Sequence, residues 1–121
     1  MFGMSEIENT QISTHIEYED FKKVQIQVGE IIEAVPVEGS EKLLKLQVKF
    51  GDETRQILSG IAKFISPDQI VGMKVPFVTN LKPRMMMGFE SNGMILAAID
   101  AEQHFSLLQV NSDVASGTNV S

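Results

Sequence analysis

The chain has 121 residues, 43% hydrophobic and 21% charged, enough for one domain and ordinary for a globular fold, which excludes wholesale disorder and collagen-like or low-complexity architectures. It has no cysteine, two histidines (His15 and His104) far apart in sequence, and a formal net charge of −6; thiol catalysis, iron–sulfur clusters and Cys-type zinc sites are excluded, and no metal or cofactor is expected. The longest apolar run, Met94 to Ile99, has six residues against the ~18 that cross a bilayer, so no membrane span is expected, and the acidic, cysteine-free chain points to the cytoplasm.

Residues 1–17 are polar and aperiodic, which predicts a flexible N-terminal lead-in or linker before a single domain over 18–121. Tyr18 to Lys22 fits a short helical turn with Tyr18 and Phe21 on one face. Alternation then begins: Val24, Ile26 and Val28 inward, Lys23, Gln25 and Gln27 outward, with Gly29 read as a bulge and the strand continuing through Ile32. A second strand places Leu44, Leu46, Val48 and Phe50 inward and Lys45, Gln47 and Lys49 outward; Gly51-Asp52 turns the chain and Arg55 to Ser59 returns as its hairpin partner. Ile61 to Ile65 reads as helical, and Ser66 as an N-cap for a further turn through Ile70. Met73, Val75 and Phe77 alternate as a fourth strand, with Pro76 where no neighbour needs its N–H, and Met94 to Ile99 forms a fifth.

Two strands, a hairpin return, a short helix between strands three and four, then two more strands is the order of an all-β, five-stranded OB-fold barrel, here with a C-terminal extension. Such barrels bind ligands on the face of strands two and three and on the loops after strands one and four. Those surfaces correspond to Lys45/Gln47/Lys49, the loop from Pro36 to Lys42, and Asn80 to Asn92.

Net acidity argues against nucleic acid, but all ten bases fall between Lys22 and Arg84, where only seven acids stand. The middle of the chain is therefore locally positive, and the flanks carry the deficit. Lys82 and Arg84 flank Pro83, whose fixed φ stiffens a cationic loop and reduces the entropy lost when both cations engage a phosphate. Met85, Met86 and Met87 cannot all face one core, so at least one is exposed or clamped by a ligand, or the run folds back over the barrel mouth. Ser91 is suited to bonding a phosphate, ribose or backbone, and no histidine or lysine is spaced to make it a nucleophile, so no catalytic residue is expected. Lys42 and Arg55 either contact phosphate or pair with Glu41, Asp52 and Glu53 nearby, a surface ion pair being the commoner fate.

Five blocks now stand out in order: Lys23-Val-Gln-Ile-Gln-Val-Gly29, Glu41-Lys-Leu-Leu44, Arg55-Gln-Ile-Leu-Ser-Gly-Ile-Ala62, Asn80-Leu-Lys-Pro-Arg84 and Glu90-Ser-Asn-Gly-Met-Ile-Leu-Ala-Ala98. Together they resemble the tRNA-binding domain family, which includes the C-terminal domain of methionyl-tRNA synthetases and stand-alone structure-specific tRNA-binding proteins. The resemblance covers roughly residues 18 to 121. It implies an OB fold, homodimerisation, and shape-directed tRNA binding without catalysis by the domain itself, supplying tRNA to a partner such as a synthetase catalytic domain. The chain departs from the family pattern at Gln27, where Arg is frequent, and at Met85 to Met87, where further bases are common. Two other readings remain: a dimerisation module with weakened RNA binding, and an export-chaperone-like peptide-binding protein.

The expected nucleic-acid contacts are Lys42, Lys45, Lys49, Arg55, Asn80, Lys82, Arg84, Met85, Ser91 and Met94. After Ile99, Phe105, Leu107 and Leu108 remain, while a small barrel is already filled by its own strands. These residues, with Tyr18 and Phe21, are the expected dimer interface.

Overall fold

Residues 14–121 are described by a computed structural model, so most of the expected lead-in lies outside the described residues. In chain order, α1 (Tyr18–Lys22) precedes β1 (Ile26–Pro36), the paired strands β2 (Leu44–Phe50) and β3 (Glu53–Ser59), α2 (Pro67–Ile70) and β4 (Lys74–Val78). A small hairpin, β5 (Arg84–Met86) and β6 (Phe89–Ser91), leads to β7 (Met94–Ile95). A second one, β8 (Ala97–Ile99) and β9 (Phe105–Leu107), precedes β10 (Asn119–Val120).

The main sheet is antiparallel in the order β3-β2-β1-β4-β7, with β10 on the stretch of β1 that β2 does not reach. Its far edges meet where the Asn92 N–H donates to the Gln56 carbonyl (2.8 Å) and the Leu58 N–H donates to Ser91 Oγ (3.0 Å). This is the expected all-β, OB-like barrel, with α2 between β3 and β4. The apolar positions read from β2 are all buried, and with Ile31, Ile57, Ile70, Val75 and Phe77 they form the main core. The Ser66 N–H donates to the Gln69 side chain at the start of α2, and Ile70 anchors that helix in the core. Pro76 lies opposite Val28, whose N–H and carbonyl go to Thr118 and Gly117, so the missing donor breaks no bond to β1.

Five expectations about the elements change. The first strand begins at Ile26, and Val24, expected inward, is 42% exposed. The register shift in β1 lies between Ile31 and Glu33, not at Gly29. Gly29 is instead a close-approach position: a Cβ there would lie 2.5 Å from Val48 Cγ1 and within 2.8 Å of the Phe50 and Phe77 rings. Ile61 to Ile65 is one hydrogen-bonded turn and no helix, because Ser66-Pro67 follows at once. The fifth strand breaks at Leu96, whose N–H bonds to Pro76; its second half leaves the main sheet to pair with β9. The C-terminal extension, finally, does enter the chain's own barrel: Leu107 is 8% exposed and belongs to the core.

Candidate nucleic-acid interface

The outward face of β2 and β3 is partly roofed by the β5–β6 hairpin. Leu58 lies opposite Lys45 on this face and, with Val37 and Leu43, forms a second small apolar cluster against which Met86 packs. Gln56 Nε2 donates to the Glu90 carbonyl (3.0 Å), and Lys45 Nζ sits 4.2 Å from the centre of the Phe89 ring. Lys45 is thereby drawn into a cation–π contact, while Lys49 stays exposed between its cross-strand neighbours Glu30 and Thr54. Of the three methionines, Met86 folds back and Met85 (68% exposed) and Met87 face outward, as the run of three requires.

Where the chain leaves β4, it forms an open cleft of about 210 Å³. Its lining includes Lys82 and Arg84, Ser59 and Gly60 at the end of β3, and Gly93 and Met94. Both cations are exposed, and neither makes an ion pair among the described residues. Gly93 has φ +145° and a Cβ there would meet Ile57 Cδ1 at 2.8 Å, so only glycine lets the backbone pass this close to the core. Met94, the first residue of β7, is 46% exposed where it lines the cleft, so it is not a buried strand residue.

Three expected contacts have other duties. Asn80 clasps the entry to β1: its Oδ1 accepts from the Gln25 N–H (2.8 Å) and its Nδ2 donates to the Lys23 carbonyl (2.6 Å). Arg55 donates from Nε to Glu53 (3.1 Å) and from Nη1 to the Thr79 carbonyl (2.6 Å), with its guanidinium over Phe50. Ser91 is 5% exposed; its hydroxyl accepts from Leu58 and donates to the Gly93 carbonyl. Of the three only Ser91 lines the cleft, and its hydroxyl is already engaged, while Asn80 and Arg55 tie neighbouring segments together outside it. Lys42 is exposed in the β1–β2 loop, and Met85 lies on the outer side of the hairpin opposite Glu90. Leu81, Ser59 and Gly60 line the cleft and were not anticipated as contacts; only the fold brings residue 59 beside residue 82.

Of the expected interface residues, Tyr18 (71% exposed), Phe21 and Leu108 are at the surface. Phe105 is half-buried in a stack on Phe64, with centroids 5.0 Å apart and planes 12° apart. Leu107 is withdrawn from that set by its core position. Among the described residues, no helix is long and apolar enough to cross a membrane.

An OB-like barrel carrying unpaired cations beside a cleft at the exit of its fourth strand defines a protein of the nucleic-acid-binding OB class. The family model described as "Putative tRNA binding domain" matches residues 26–119, and the chain belongs to that family. It is 50% identical over 107 residues to the methionine-tRNA ligase of Caldanaerobacter subterraneus subsp. tengcongensis, covering 88% of this chain and 17% of that protein. With the methionine-tRNA ligase of Methanospirillum hungatei the identity is 52% over 105 residues, covering 87% of this chain and 15% of that one. The chain therefore spans about a sixth of these curated relatives. Among solved structures, the MetRS related protein from Pyrococcus horikoshii superposes with TM-score 0.85 at 38% identity, over 88% of this chain and 97% of that one. The CsaA chaperone from Bacillus anthracis superposes with TM-score 0.79 at 25% identity, over 89% of this chain and all of that one.

Proposed function

We propose that this chain is a non-catalytic, shape-directed tRNA-binding module. It acts either free-standing or as the C-terminal domain of a methionyl-tRNA synthetase, raising the local tRNA concentration for a catalytic partner. The observation that carries this reading is the Lys82-Pro83-Arg84 loop: two cations without acidic partners among the described residues, held beside a cleft by a residue of fixed φ. Membership of the tRNA-binding domain family supports it. Further parts of the same proposal are a domain over 18–121 with 1–17 as linker, a homodimer using Tyr18, Phe21 and Leu108, and a cytoplasmic location.

A second reading, peptide binding, draws on the outward-facing Met85 and Met87 and on the likeness to the CsaA chaperone. Titrating total tRNA into the chain at two salt concentrations separates the two. The tRNA module gives saturable, salt-sensitive binding of about micromolar strength, modest because the net charge is −6. Binding of an unfolded apolar peptide with no response to tRNA favours the second reading.

A further inference from the structure

One polar group beside the cleft has no role in the fold. Ser59 ends β3 and is 9% exposed, yet its hydroxyl has no hydrogen-bond partner among the described residues. A buried hydroxyl left unpaired is unfavourable, and native folds keep few of them. The nearby hydroxyl of Ser91 shows the contrast, since it is bonded to the backbone on both sides. Ser59 lines the same cleft as Lys82 and Arg84, so an unused donor and two unused cations share one space.

Apart from Ser91, whose hydroxyl is engaged, the remaining side chains of the lining are apolar, with Leu81 and Met94 exposed. A duplex passing over the surface presents phosphates and ribose and keeps its bases stacked inside, leaving nothing to cover those two side chains. An unpaired nucleotide presents both parts: an anionic phosphate for the cations and a flat, polarisable base for a thioether and a leucine. A volume of about 210 Å³ is small for a drug-sized ligand and admits a single residue of a chain.

We propose that this cleft is a subsite for one unpaired nucleotide of the bound RNA. Its phosphate lies on Lys82 and Arg84, its base against Leu81 and Met94, and the Ser59 hydroxyl hydrogen-bonds to the sugar-phosphate. This deepens the tRNA-binding reading and rests on it.

The test uses Ser59→Ala, with tRNA, a ribonucleoside 5′-monophosphate, inorganic phosphate and a blunt-ended RNA duplex as the probes. Removing a hydroxyl that bonds to nothing in the fold leaves the melting temperature unchanged or raises it. The same variant binds tRNA and the monophosphate about threefold to tenfold more weakly, the loss of one hydrogen bond. In the native chain, the monophosphate shifts the NMR signals of Ser59 and the Met94 methyl, inorganic phosphate leaves the Met94 methyl unmoved, and the duplex competes poorly with tRNA. Four results overturn the subsite: a Ser59→Ala chain that melts lower and binds as before, Met94 shifts equal for phosphate and monophosphate, a duplex that competes as well as tRNA, or no response to the monophosphate. Any of these beside intact tRNA binding leaves the wider reading standing, whereas loss of tRNA binding by the native chain overturns both.

Discussion

Lys82 and Arg84 are set apart from most of the chain's bases by what surrounds them. Arg55 is held by Glu53 and the Thr79 carbonyl, and Lys74 Nζ donates to the carbonyls of Ser112 (2.8 Å) and Val114 (2.7 Å). Those groups give up hydration for fixed partners, whereas the two loop cations stay exposed and keep theirs. The sequence left Arg55 a choice of nearby acids, and β3 settles on Glu53 because residues two apart on a strand share a face; the Thr79 contact was not legible, since it depends on how β3 and β4 approach in space. The same split governs two substitutions. Ser91→Ala leaves the buried Leu58 N–H without its acceptor and costs about 1–3 kcal/mol of stability, readable in a denaturant titration, with any loss of affinity following from it. Met94→Ala at the exposed lip weakens RNA binding with little change in melting temperature; a large drop in that temperature would place Met94 in the core.

Elements were readable where one physical cause produced the pattern. In β2 alternation has a single origin, one buried face, and the register followed from it. At Gly29 the same residue type signals either a bulge or a close approach, and only the packing of Val48, Phe50 and Phe77 decides between them. Gly29→Ala thus inserts a methyl group into a filled core and costs about 1–3 kcal/mol, measured by denaturant unfolding; a neutral result would mean that the three side chains can yield. The break at Leu96 carries no proline or glycine, so nothing local announced it; the second half of the strand is drawn off by β9. The turn of that outer hairpin is tied by Asp100, which accepts from the His104 and Glu102 backbone N–H groups and contacts His104 Nδ1 (2.8 Å). Hydrogen bonds from the His104 backbone first and then its ring outweigh the opposing desolvation and, with a further one from the Glu102 N–H, lower the Asp100 pKa. A carboxyl with a depressed folded pKa orders the turn above the ordinary carboxylate range and releases it as pH falls through the lowered value. Protection of the Glu102 and His104 amides, taken relative to their intrinsic exchange rates, should therefore fall as pH drops through that value, and Asp100→Asn should remove that step.

At the scale of the whole molecule, composition and arrangement point in opposite directions. A net charge of −6 describes a poor polyanion ligand, yet all ten bases lie between Lys22 and Arg84, while the acids of both termini supply the deficit. Five sequence blocks made the family legible before any coordinate, but not the roofing of the β2–β3 face by the β5–β6 hairpin, which moves the candidate site from the strand face to the cleft. The proposed homodimer now rests on Tyr18, Phe21 and Leu108, with Leu107 removed to the core. Light scattering at roughly tens of micromolar should give twice the chain mass, and a monomer there would contradict it. The central claim, that Lys82 and Arg84 engage RNA phosphates, is tested most directly by the salt dependence of tRNA binding in the Lys82→Ala/Arg84→Ala chain. Each phosphate contact contributes about 0.7 to 0.9 to the slope of log K against log salt, so the double variant should flatten it by about 1.5 and weaken tRNAs of different sequence alike. An unchanged slope would contradict the account.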